Sequence, residues 1–120
     1  ANVLELPAGL VGDDGDPDED FRIAANRELV EETGYNASRF DELLVGPSTP
    51  GLSDEIITVY FADGLTKVGA GGGIGNENIT VHLMPLDDAE NWLAARKAEG
   101  ILLDPKIYAG MYWAATRKQQ

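Results

Sequence analysis

Between Asp20 and Gly34 the apolar and polar positions recur at helical spacing. At about 100° per residue, Ile23, Asn26, Leu29, Val30 and Thr33 share one side, while Glu28, Glu31 and Glu32 share the other. This predicts a helix opened by Glu19 or Asp20 and running to Thr33, with Gly34 as its C-terminal stop. Its apolar side is expected to pack on a sheet and its acidic side to face a cleft. Short runs rich in β-branched and aromatic residues predict strands at 3–6, 40–45, 56–62 and 79–84. Pro7-Ala8-Gly9 halts the first, and Pro85 ends the last. The segment from Gly46 to Glu55 reads as a turn-rich loop. A further helix is expected from Asp87 or Asp88 to about Glu99, stopped by Gly100. A last helix starts at Asp104-Pro105, with Ile107, Met111, Ala114 and Ala115 as its apolar stripe. No internal repeat or linker interrupts the chain, so residues 1–120 are expected to form one domain.

Composition narrows the function. A chain of 120 residues, 43% of them hydrophobic, suits one domain with a core and argues against disorder. The net charge of −12 repels nucleic-acid backbones and anionic membranes. A phosphate-bearing substrate would need cations to bridge it to such a surface. The absence of cysteine excludes disulfides, thiolate catalysis and cysteine-ligated zinc. No apolar run is long enough to span a membrane and no signal peptide is evident, so a cytoplasmic location is the expectation. Ala1 in place of Met points to Met removal or to a fragment.

Glu28, Glu31 and Glu32 are neighbours on a helix, and three adjacent anions repel one another. Water relieves that repulsion on a solvated face, which is the usual meaning of such a cluster. A hard divalent cation with oxygen ligands relieves it equally. The setting decides between them. Arg27 precedes the cluster, Gly34 follows it, and Glu19 lies eight residues before Arg27.

This arrangement resembles the signature of the Nudix hydrolases. That signature runs Gly, five residues, Glu, seven residues, Arg-Glu, an aliphatic, any residue, Glu-Glu, any residue, Gly, and an aliphatic or aromatic residue. Glu19, Arg27, Glu28, Leu29, Glu31, Glu32, Gly34 and Tyr35 match it from its first Glu onward. The departure is at the front, where Asp13 stands six positions before Glu19. Gly9 is the equivalent of the signature Gly, with four extra residues in the acidic loop, where length changes cost little. Three flanking segments are similar to the branch of the family that cleaves ADP-ribose and nucleotide sugars. They are Glu5 to Leu10, Pro50 to Glu55 and Glu77 to His82, and the stretch from Asp104 to Trp113 looks like that branch's final helix.

The resemblance implies an α+β fold, with a mixed sheet sandwiched between helices. It implies Glu28 and Glu32 as main ligands of Mg²⁺ (with Mn²⁺ as a substitute), Glu31 as an assisting and catalytic carboxylate, and the backbone carbonyl of Ala8 completing the site. Arg27 would orient the glutamates. Glu77 matches best the base that activates water. Gly9, Leu10, Gly51, Ser53 and Glu55 would contact substrate. The implied reaction is hydrolysis of a nucleoside diphosphate derivative to two monophosphates, by a homodimer. Two alternatives stand beside it: action on nucleoside triphosphates or dinucleoside polyphosphates, and a regulator that binds nucleotide sugars without turnover. Only eight residues precede Gly9, where this branch carries several strands, so a missing segment or a strand from a partner chain is expected.

Other features carry less. An EF-hand counted from Asp14 would need Gly and Glu where Glu19 and Ala25 stand. The run from Gly69 to Gly75 has no Gly-Lys-Ser/Thr ending and precedes a predicted strand, so it reads as a flexible loop or lid. His82 reads as structural, and Trp92, Trp113, Tyr108 and Tyr112 as packing residues.

Overall fold

A computed structural model describes residues 2–11, 20–75 and 78–118. In order they form strand β1 (Val3–Leu4), helix α1 (Phe21–Thr33), strands β2 (Tyr35–Pro47) and β3 (Ile56–Lys67), a 3₁₀ turn (Leu86–Asp88), helix α2 (Ala89–Ala98), strand β4 (Leu102–Leu103) and helix α3 (Lys106–Lys118). The class is α+β. The described strands form one parallel pair and one antiparallel pair. The chain divides into two compact units, one of Ala8–Ile79 and one of Ala1–Pro7 with Thr80–Gln120. Among the described residues, no helix is long and apolar enough to cross a membrane.

In the first unit, Asp20 opens α1 by accepting the backbone N–H groups of Arg22 and Ile23. Gly34 closes it at φ +80, with its N–H on the Val30 carbonyl at 2.9 Å. That left-handed turn suits glycine and sends the chain straight into β2. β2 and β3 pair from Tyr35↔Lys67 to Pro47↔Ile56, with a register shift between Glu42 and Leu44. Both strands outrun the predicted 40–45 and 56–62. The added length mixes polar residues with Tyr35, Ala37 and Leu65, and cross-strand contacts such as the ion pair between Arg39 and Asp63 at 2.5 Å hold it. Asn26 joins helix to ribbon. Its amide donates to Asn36 Oδ1 at 2.8 Å, and its oxygen accepts the Ala37 N–H at 2.9 Å.

The expected sides of α1 need correction. Ile23 is 63% exposed, while the buried residues are Ala24 and Glu28. Spacing assigns residues to faces but does not say which face meets a neighbour. Here the segment Ala8–Leu10 covers the Glu28 side.

In the second unit, β1 pairs with β4, Val3 opposite Leu102 and Leu4 opposite Leu103. β4 is two residues long, too short to signal itself by alternation. Leu93, Ala89 and Ile107 are buried. Leu6 packs at Gly110, where a Cβ would lie 3.2 Å from its methyl carbon. The predicted strand at 79–84 is absent: residues 78–85 adopt no regular structure. They have no ladder partner among the described strands. Leu83 is 71% exposed, and the His82 ring lies instead on Trp92, 5.3 Å between centroids.

Asp104, two residues before α3, accepts the Lys106 N–H at 3.1 Å and pairs with the Lys106 ammonium at 3.0 Å. Burial disfavours its charged form, but the Lys106 hydrogen bonds and charge outweigh this and hold the carboxyl below its usual range. A lowered carboxyl pKa stabilises the fold above the unfolded value, and that contribution is lost as pH falls through the folded value. Asp104→Ala should therefore cost about 1 kcal/mol near neutral pH. In urea unfolding measured across pH, its gap to the wild type should narrow below about pH 4.

Candidate active site

The segment Ala8–Leu10 runs antiparallel along α1. Ala8 donates its N–H to Glu32 Oε1 at 2.9 Å. One turn back along the helix, Gly9 lies against the Glu28 carboxylate so closely that a Cβ there would overlap it. Leu10 offers its carbonyl to Arg27 Nη2 at 3.3 Å. Arg27 Nη1 also reaches Glu28 Oε1 at 2.9 Å and Glu31 Oε2 at 3.8 Å. Glu28 is 8% exposed, and a buried carboxylate needs such charge-assisted partners to stay ionised.

The acids sit in the C-terminal half of α1, where helix carbonyls already carry partial negative charge. No basic residue occupies the last turn. Backbone donors meet the carbonyls instead: Gly34 at Val30, Gly73 at Glu31 and Gly72 at Glu32, at 2.9, 2.9 and 2.8 Å. The Gly72 and Gly73 donors escaped the sequence reading, which took the glycine run as flexible. Their only signal is that run of glycines, and its partner is forty residues away.

The structure thus brings together Ala8, Gly9, Leu10, Arg27, Glu28, Glu31 and Glu32. Glu19 and Glu77 lie outside the described residues. Gly51, Ser53 and Glu55 belong to the loop between β2 and β3, which is braced on itself. Ser48 donates to Glu55, the Thr49 and Ser53 hydroxyls meet at 2.8 Å, and the Ser53 N–H reaches the Thr49 carbonyl at 3.1 Å. Arg22, at the N-terminal end of α1, bonds the Phe40 carbonyl. The loop begins seven or more residues past that point, roughly 23 Å of strand.

A hard divalent cation suits a donor set of carboxylates. Glu28 and Glu32, one turn apart, both lie on the Ala8–Gly9 backbone, which fits a shared ion. As the side chains stand, no three acidic or histidine groups among the described residues are gathered closely enough to hold one.

A domain model described as "NUDIX domain" matches residues 2–103. The chain belongs to the Nudix family. It is 36% identical over 110 residues to an ADP-ribose pyrophosphatase of Mycobacterium tuberculosis, covering 91% of this chain and 50% of that protein. It is 34% identical over 97 residues to a methanol dehydrogenase activator of Bacillus methanolicus, covering 80% and 50%. To a GDP-mannose pyrophosphatase of Cronobacter sakazakii it is 29% identical over 106 residues, covering 87% and 51%. The chain thus spans about half the length of these relatives. The family match and the two relatives named as pyrophosphatases place the chain with the ADP-ribose and nucleotide-sugar branch of the Nudix hydrolases.

Gly9→Ala tests the close approach at Glu28. The added methyl must push the carboxylate off Arg27, and unfolding in urea should show a loss of about 1–3 kcal/mol. Gly46→Ala, where a Cβ meets nothing within 4 Å, should lie close to the wild type in the same measurement.

Proposed function

We propose that this Nudix chain hydrolyses the diphosphate bond of a nucleoside diphosphate derivative, ADP-ribose or a nucleotide sugar, to two monophosphates. The observation that carries this reading is the layering of Ala8–Leu10 on Arg27, Glu28 and Glu32. The names of the relatives support the substrate class. The surroundings of the acids support a divalent cation, Mg²⁺ or Mn²⁺, held by Glu28, Glu31, Glu32 and the Ala8 backbone. When bound, it neutralises diphosphate oxygens and lowers the pKa of water.

The chain's own residues do the rest. Arg27 holds Glu28 and Glu31 by charge and the 8–10 segment through the Leu10 carbonyl, so the acids are oriented before substrate arrives. Glu77 is proposed as the base that takes the water's proton, with Glu31 assisting. Gly9, Leu10, Gly51, Ser53 and Glu55 are proposed to contact substrate. A cytoplasmic homodimer is the proposed working form, and the net charge of −12 disfavours nucleic-acid partners.

Glu32→Gln keeps the shape of the side chain and removes its charge. Mg²⁺-dependent monophosphate release from ADP-ribose should fall on the order of 100-fold or more. Undiminished turnover would remove Glu32 from the metal site. Products from a panel of nucleotide sugars, nucleoside triphosphates and dinucleoside polyphosphates separate the substrate readings. A second reading is a regulator that binds nucleotide sugars without turnover; the relative named as an activator supports a regulatory role. Ligand binding in Mg²⁺ with no product would establish it.

A further inference from the structure

The glycine run after β3 closes over the C-terminal end of α1. We infer that Gly69 to Gly73 form a positioning clasp: they hold the last turn of α1, and with it the Glu31 and Glu32 carboxylates, where a divalent cation is bound. The inference rests on the metal reading proposed above.

Four backbone donors make the clasp. Val68 and Gly69 give their N–H groups to the Gly34 carbonyl at 2.8 and 3.1 Å. Gly72 and Gly73 give theirs to the Glu32 and Glu31 carbonyls at 2.8 and 2.9 Å. The last carbonyls of a helix have no partner within it, and here no basic side chain of the last turn serves them. Between the two pairs of donors, Gly71 passes against the helix end. A Cβ on it would lie 2.5 Å from the Thr33 carbonyl carbon and 2.9 Å from the Glu32 oxygen. Its φ of +72 also favours glycine. The run is therefore fitted to the helix rather than spacing two elements apart.

The bonded carbonyls belong to the residues that carry the acids. Glu31 and Glu32 are fixed from the backbone side by Gly73 and Gly72. Arg27 and the Ala8 N–H fix them from the carboxylate side. A cation held by those carboxylates favours the ordered turn, and by linkage the ordered turn favours the cation.

Gly71→Ala is compared with the wild type and with Gly46→Ala, by amide hydrogen exchange and by calorimetric titration with Mg²⁺ alone. In Gly71→Ala the amides of Gly72, Gly73 and the last turn of α1 should exchange at least about tenfold faster, while the β2–β3 ladder keeps its protection. Its affinity for Mg²⁺ should fall roughly tenfold or more. Unchanged exchange overturns the clasp. Faster exchange with unchanged Mg²⁺ affinity also overturns it, because the run would then be a structural cap only. A wild-type chain that binds no Mg²⁺ overturns the metal reading, and the exchange arm still decides whether the run holds the turn. Should Gly71→Ala fail to fold, Gly72→Ala gives the same readouts. A Cβ there meets only the Ile79 carbonyl at 3.6 Å, so the substitution strains the backbone alone.

Discussion

The fold is organised around one electrostatic problem: too much negative charge at the C-terminal end of a helix. Glu28, Glu31 and Glu32 crowd the half of α1 whose carbonyls already carry the negative end of the helix dipole. Left unanswered, that density would fray the last turn. The chain answers it with positive partial charges drawn from three places. The Arg27 guanidinium sits among the acids. The Ala8 N–H meets Glu32. The N–H groups of Gly34, Gly72 and Gly73 cover the carbonyls. Each comes from a different stretch of sequence, so the acids are what gather the loops around α1.

Much of this was legible from the residues. Asp20 and Gly34 bound α1 where capping chemistry placed them, because both signals are local. The cores of β2 and β3 were legible for the same reason, since Phe40 to Val45 and Ile56 to Ala62 carry the β-branched and aromatic side chains. What escaped depends on partners far along the chain. Tyr35 to Arg39 and Asp63 to Lys67 are strand only because they pair with each other. Ile79 to Met84 has the composition of a strand and is not one, for want of a ladder. The burial of Glu28 is a property of the Ala8–Leu10 segment, not of the helix that carries it.

The same layering explains why the departure from the Nudix signature is tolerable. The 8–10 segment is attached to α1 at Glu32, Glu28 and Arg27, and the helix is capped separately at Asp20. Both ends of the acidic loop are therefore anchored independently of its length. Extra residues between two fixed points add only the slow logarithmic cost of loop closure. Spacing within the helix has no such freedom. Moving Glu28 or Glu32 by one position would rotate it about 100° away from the backbone it meets. Five of the eight matched positions, Arg27, Glu28, Leu29, Glu31 and Glu32, are carried on α1.

Placing the acids near a helix C-terminus also biases what can bind them. A phosphate group approaching that end meets carboxylates and carbonyl dipoles of its own sign, the reverse of the anion site at a helix N-terminus. A cation meets attraction from both. Under the proposed function, such a field would repel a bare diphosphate and admit one that arrives with cations. The Arg27 guanidinium limits the same field from within. By taking one oxygen of Glu28 and approaching Glu31, it keeps the carboxylates from repelling one another apart while leaving their charge in place. A helix that must carry this much charge without unwinding needs its last turn held by groups that bring no net charge. Backbone N–H donors from glycines meet that requirement; lysines in their place would neutralise the field the site depends on.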